Sequence, residues 1–161
     1  MTDIGLIGGG YSFEDLVVGT RWYSAGRTML EADLAAYINL SWFTEELFTN
    51  LADRAGHVIE GRPLPAIMVM AFAEGLIVRT LERTGLAFLH SDMDVLGPTF
   101  VGDTIHVECE VIEAKLTSKG DRGLVRTRNI VVNQSGRQTL SYRPLRLVKL
   151  REPEVGRRER S

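Results

Sequence analysis

The stretch Ser41-Trp42-Phe43-Thr44-Glu45-Glu46 crowds two hydroxyls and two carboxylates together, and Glu74 follows alone in an apolar run. A carboxylate of suitable pKa and position can take a proton from water, so Glu45 and Glu46 are candidate general bases. A plainer reading competes: Thr44 caps a short helix and the two glutamates fill its first turn, where negative charge complements the helix dipole. Ser41 and Thr44 have no histidine close in sequence, which weakens a Ser/His-type nucleophile. At about 100° per residue Glu74 projects opposite to Arg79, Glu82 and Arg83, toward the interior or an interface. A carboxylate placed there needs a partner, which makes it either a structural ion or a proton-transfer group; we favour the structural role.

Those side chains need elements to position them. Tyr37 to Arg79 reads as the end of one short helix, a second short helix, a loop rich in Gly and Pro over 56–65, and a long helix. Thr28-Met29-Leu30-Glu31 has the spacing of a capping box, and Leu34, Tyr37 and Ile38 recur as on one helix face, predicting a helix over Glu31 to Leu40. Leu47, Phe48 and Leu51 give a second helical face between Phe43 and Ala55. The long helix is expected from Pro65 or Ala66, since proline suits the first helical position, to about Arg83, with Gly85 ending it. Between Ala66 and Val78 its only charge is Glu74.

The chain then changes period. Ile105, Val107, Cys109 and Val111 alternate with Thr104, His106, Glu108 and Glu110, the pattern of a strand with one buried face. His106 is therefore expected at the surface, and Cys109 as a small core hydrophobe rather than a nucleophile. Further strands are expected over Trp22 to Gly26, Phe88 to Val95, Gly123 to Val132 and Gln138 to Lys149, with Pro144 marking an edge or bulge in the last. One apolar helix followed by a strand meander predicts an α+β fold, a curved antiparallel sheet wrapped around that helix, the hot-dog arrangement. We expect a single domain over 11–150, with a flexible leader over 1–10 and a disordered charged tail over 151–161. The leader glycines do not have G-x-G-x-x-G spacing and follow no strand, so they are not a phosphate loop.

The 161 residues carry 19 basic and 21 acidic side chains, a formal charge of −2. That balance offers no basic footprint for nucleic acid. No apolar run reaches the roughly 20 residues that span a bilayer, and no signal peptide is evident, so a cytoplasmic protein without membrane or nucleic-acid partners is expected. One cysteine precludes an internal disulfide, and His57, His90 and His106 are too scattered for a metal cluster. No cofactor is expected.

Four segments, Y11SFEDLVVGT, G26RTMLEADLAAYINLS, P65AIMVMAFAEGL and V95LGPTFVGDTI, resemble in order and spacing the MaoC-like family of hot-dog hydratases and dehydratases. The resemblance covers Tyr11 to Leu147. It implies (R)-specific hydration of enoyl thioesters, or the reverse dehydration, on coenzyme A or carrier-protein substrates. It also implies dimers whose sheets join edge to edge, and hence a homodimer or higher homo-oligomer.

The catalytic segment departs from the family pattern. Family hydratases follow the first helix with a segment like L-T-G-D-x-N-P-x-H, whose Asp and His activate water and manage the α-proton. This chain reads L40-S41-W42-F43-T44-E45-E46-L47-F48, with Phe43 at the Asp position and Phe48 at the His position. A phenyl ring transfers no proton, and general acid–base catalysis typically supplies about 10²–10⁴-fold. The family glycine whose amide faces the thioester oxygen aligns with Ala66, which still has an N–H to donate.

Three functions follow. The first is an acyl-thioester hydratase or dehydratase with an altered site, using Glu45 or Glu46 as the base. The second is a non-catalytic acyl-CoA-binding or partner subunit, and the third a hot-dog thioesterase using Glu74 or Glu46. In each, Ser41, Trp42, Pro65, Ala66 and Ile67 are the expected substrate contacts.

Overall fold

A computed structural model describes residues 9–52 and 55–151. Its largest element is an antiparallel sheet built from β1 (Arg21–Tyr23), β2 (Arg27–Thr28), β3 (Gly85–His90), β4 (Met93–Val95), β5 (Thr104–Leu116), β6 (Arg122–Val132), β7 (Gln138–Tyr142) and β8 (Leu145–Lys149). The helices are α1 (Glu31–Ser41), α2 (Glu46–Thr49) and α3 (Ala66–Ile77).

Four of the seven strand pairings involve interrupted strands. β5 pairs with β6 along nearly its whole length, and β6 pairs with β7 through Asn129 to Val132 and with β8 through Arg122 to Arg126. β4 pairs with β7 and β3 with β8. The sequence suggests single strands over Phe88–Val95 and Gln138–Lys149; each is instead two strands with a break, at Ser91-Asp92 and at Arg143-Pro144. The breaks lie side by side, because the Arg143 amide donates to the Asp92 carbonyl at 3.1 Å. Pro144 has no N–H for the ladder, and its carbonyl accepts the Thr127 amide at 3.2 Å, so the sheet bends without opening. With a bulge between Val111 and Glu113 on β5, these breaks curl the sheet around α3.

α3 lays Met68, Val69, Ala73 and Ile77 against Ile105, Val107, Val131, Leu140 and Tyr142, and all are buried. The opposite stripe of α3, Ile67, Ala71, Gly75 and Val78, faces solvent in the single chain. The helix is also shorter than expected. It passes into a 3-10 turn over Val78–Leu81, and Arg83 takes φ 65°, so the chain reverses before Gly85, which opens β3 instead of ending the helix.

The start of α1 differs from the expected capping box. Thr28 is engaged in β2, opposite Thr104, with their hydroxyls 2.7 Å apart. Strand pairing thus takes Thr28, and the helix begins after Leu30, whose amide donates to the Asp33 carboxylate at 2.9 Å. At α2 the residue before the first turn is Glu45 rather than Thr44.

The expected leader and tail lie largely outside the described residues, at 1–8 and 152–161. Gly10 and Tyr11 are held by amide bonds to the Glu82 and Thr80 carbonyls at 2.9 and 2.7 Å. Among the described residues no helix is long and apolar enough to cross a membrane, and no group of His, Cys, Asp and Glu is placed to hold a metal ion.

Candidate functional site

The first turn of α3 is left uncapped by any side chain, since Pro65 precedes it. Its leading amides, beginning with Ala66, have no acceptor among the described residues until Val69, which donates to the Pro65 carbonyl at 3.1 Å. Unpaired N–H groups at a helix start, with the helix dipole behind them, form a place for a partly negative oxygen. Ala66 opens onto a cleft of about 340 Å³, whose walls include Leu47, Phe48, Leu64, Val69 and Leu96. Among the described residues that line the cleft none ionises, and the side-chain hydroxyls are those of Thr99 and Thr139. The loop 96–99 is anchored at both ends: Leu64 donates its amide to the Thr99 carbonyl at 2.8 Å, and Leu96 and Gly97 donate theirs to the Thr139 carbonyl at 3.0 and 3.2 Å.

Phe43 and Phe48 meet at a tilt of 54° beside this cleft, with ring centroids 5.5 Å apart, and Phe43 also contacts the Tyr37 ring at 6.2 Å. Phe48 is buried and Phe43 half-buried. Phe43 and Phe48, expected from the resemblance at the acid and base positions, form an aromatic cluster packed against the core. Their contacts account for them as hydrophobic residues: tilted pairs at these distances contribute about 0.5–1.5 kcal/mol beyond area burial.

Glu45 and Glu46 are both exposed. Glu45 acts through its backbone, its carbonyl accepting the Phe48 amide at 3.0 Å and the Thr49 hydroxyl at 3.1 Å. Neither carboxylate lines the cleft, although Leu47 and Phe48 immediately after them do. Ser41 back-bonds to the Tyr37 carbonyl at 2.6 Å, and Trp42, in the left-handed conformation at φ 61°, ends α1 with its indole 85% exposed. Pro65 is buried and Ile67 exposed on either side of Ala66. Of the expected contact residues, only Ala66 and, by adjacency, Pro65 and Ile67 belong to this site; Ser41 and Trp42 stand apart from its walls.

Glu74 belongs to a different cavity, of about 440 Å³, between the C-terminal half of α3 and β3, β6 and β8. Its carboxylate accepts Arg146 Nη2 on both oxygens, at 2.6 and 2.5 Å, and the Tyr142 hydroxyl at 2.8 Å. Arg146 also lies over the Phe88 ring, 5.4 Å from its centroid. Burial, reinforced by the Glu74 charge, drives the Tyr142 hydroxyl's pKa up, so it stays a proton donor to that carboxylate. Burial likewise pushes the Cys109 thiol up to about 12; nearby Arg146 lowers it less and Glu74 raises it. Cys109 is thus a free, buried, protonated thiol with no nucleophilic character near neutral pH. His106 is half-buried, its Nε2 3.4 Å from Glu108.

Sequence reasoning singled out the start of α3 but not the second wall of the cleft. Val95 to Thr99 carried a motif resemblance without a role, and Thr139 carried no signal, because only the pairing of β4 with β7 brings it there.

No protein-family model matches the chain. A curated relative, β-methylmalyl-CoA dehydratase of Chloroflexus aurantiacus, is 28% identical over 150 residues, covering 91% of this chain and 42% of the relative. This chain therefore spans less than half the length of the curated relative it matches. Among solved structures, a MaoC-like dehydratase from Rhodospirillum rubrum superposes with a TM-score of 0.79 at 25% identity, over 89% of this chain and 100% of that one. A conserved Mycobacterium tuberculosis protein with a double hot-dog fold gives 0.74 at 21% identity, over 94% of this chain and 47% of that one. The antiparallel sheet curled around α3 is the same architecture.

Proposed function

We propose that this MaoC-like hot-dog chain binds an acyl thioester, on coenzyme A or a carrier protein, and serves as the acyl-binding unit of a hydratase-type assembly. The observation that carries this is the uncapped start of α3 opening onto a cleft whose described walls hold no ionisable residue. An amide at a helix N-terminus can receive the thioester oxygen, and apolar walls suit an acyl group. The described residues of these walls, with Phe43 and Phe48 packed beside them, include no acid and no base, which supports proton-transfer groups supplied by a partner unit. Relatives named as dehydratases support the reaction class, and the doubled length of the curated relative and of the double hot-dog neighbour supports a two-unit assembly.

The surface left open by the single chain supports a second unit as well. β3 is an edge strand with all of its residues exposed, and beside it the apolar stripe of α3 faces solvent. An unpaired edge next to an apolar face is a place for another chain, here a second copy or a related hot-dog unit.

A second reading has one observation in its favour. Glu45 and Glu46 directly precede the cleft residues Leu47 and Phe48, so a small movement of α2 would bring a carboxylate to the rim. In that case the chain hydrates enoyl thioesters by itself, with one glutamate as base for water. Glu74 is not favoured as a hydrolytic base, because Arg146 and Tyr142 already occupy both of its oxygens.

Ala66→Pro tests the proposal at a single atom. Proline is well tolerated at the first helical position and removes only the N–H. Titration calorimetry with butyryl-CoA should show saturable binding to the wild type and a loss of about tenfold in Ala66→Pro, with unchanged melting temperature. Equal affinity in the two proteins would reject the amide as the thioester contact. Hydration of crotonyl-CoA by the chain alone, abolished in Glu45→Gln or Glu46→Gln, would establish the second reading instead.

A further inference from the structure

The cavity of about 440 Å³ beside the last residues of α3 takes no part in the chemistry above. Its walls are apolar over Leu16, Ile77, Val78, Leu81, Leu86 and Phe88, and its two charged lining residues, Glu74 and Arg146, already neutralise each other. One donor there is left over: Trp22 lines the cavity, and its indole Nε1 is buried without a hydrogen-bond partner. A buried N–H calls for an acceptor, and apolar walls call for apolar groups. A peptide segment with aliphatic side chains supplies both, because its carbonyls accept.

The chain itself brings such a segment to the rim. The Gly10 amide donates to the Glu82 carbonyl at 2.9 Å and the Tyr11 amide to the Thr80 carbonyl at 2.7 Å, and Thr80 and Leu81 line the cavity. The hold is close. A Cβ on Gly10 would stand 2.4 Å from the Glu82 nitrogen and 2.7 Å from the Leu81 carbonyl carbon, so only glycine passes there.

The stretch before this anchor, 1–8, lies outside the described residues and reads M-T-D-I-G-L-I-G. Met1, Ile4, Leu6 and Ile7 are apolar, and Asp3 is its one charged side chain. Arg79 and Arg83, beside the anchoring turn, are exposed and form no ion pair among the described residues, which complements that charge. Length is sufficient as well. Eight residues reach at most about 26–29 Å when extended, whereas β3, which walls the cavity over Gly85 to Phe88, is about 20 Å long in all.

We infer that residues 1–8 fold back from Gly10 over this cavity and seat Ile4, Leu6 and Ile7 against its walls, capping the face between α3 and β3 from within the same chain. A second unit would cover the same face, so the leader is a built-in competitor for it. The inference needs neither a thioester nor the Ala66 amide.

The test uses the full chain and a full-length variant carrying Ile4→Asp, Leu6→Asp and Ile7→Asp, with a synthetic peptide of residues 1–8 as probe. Titration calorimetry should show the peptide binding to the variant. Apparent binding to the wild type should be weaker by about tenfold or more, since its own leader competes at an effective concentration of about millimolar. Adding Leu86→Glu, on a cavity residue that is 41% exposed, should abolish peptide binding to the variant. Adding Leu40→Glu instead, on α1 and 86% exposed, should leave it unchanged. Equal binding by wild type and variant would overturn the inference, as would binding that survives Leu86→Glu, which would put the leader elsewhere. No binding to the variant would overturn it too, and light scattering would then show whether a second copy holds the face.

Discussion

Removing Arg146 should cost this fold a substantial fraction of its stability, because it would strand Glu74 on the inner side of α3. The pair is closely made: one Arg146 nitrogen meets both Glu74 oxygens at 2.6 and 2.5 Å, and the side chains are only 13% and 29% exposed. Breaking a fully buried ion pair by deleting one partner costs about 3–5 kcal/mol, since the survivor keeps its desolvation penalty without compensation. Glu74 retains the Tyr142 hydroxyl and some water, so we expect about 2–3 kcal/mol for Arg146→Met. For a chain of this size that is a fall in Tm of about 5–10 °C. Glu74→Met should cost a similar amount. The double variant Glu74→Met/Arg146→Met should be less destabilised than the two single losses added together, by about 1–3 kcal/mol. Urea titration of the four proteins closes the cycle, with m-values checked for constancy. Strict additivity, or single losses under about 0.5 kcal/mol, would refute a coupled structural pair and return Glu74 to the candidates for proton transfer.

Two further outcomes follow from the electrostatics. Cys109 is the only cysteine, buried, with its pKa pushed up to about 12, so at pH 8 it should react with a thiol reagent only through unfolding; rapid labelling of the native protein would contradict its placement in the core. Glu110 is held below the usual carboxylate range by hydrogen bonds from Arg128 and Arg21. A depressed folded-state pKa means the unfolded chain binds more protons, so this contribution is present above about pH 4.5 and lost as pH falls through the folded value. Melting temperatures of wild type and Glu110→Gln should therefore differ at pH 7, begin to close below about pH 4.5 and converge once pH is below the folded value, with a smaller gap in high salt; a gap that widens in acid would reverse the sign.

Much of the fold was legible because it rests on local periodicity. The alternation from Thr104 to Val111 lies in β5, and the apolar run from Ala66, broken by Glu74, is α3. Pro144 marked the bend in the last strand for a reason that is purely covalent, the missing N–H. Boundaries were less legible. Thr28 and Glu31 satisfy a capping pattern in isolation, yet Thr28 is claimed by β2 pairing with β5, a contact seventy-six residues distant that no local pattern contains.

The site divides along the same line. The residue types by themselves, aligned on the resemblance, put Phe43 and Phe48 where hydratases of that family are expected to hold their acid and base, and a phenyl ring carries no proton in any fold. They also determined that an amide remains at Ala66. Only the tertiary structure decided what those residues face. It separated Glu74 from the start of α3 and gave it to Arg146. It left Glu45 and Glu46 outside the cleft walls, and it brought Thr139 to Gly97 through the pairing of β4 with β7. The physical reason is that side-chain identity fixes available chemistry, while partners far apart in sequence meet only when the sheet's register and curvature are set.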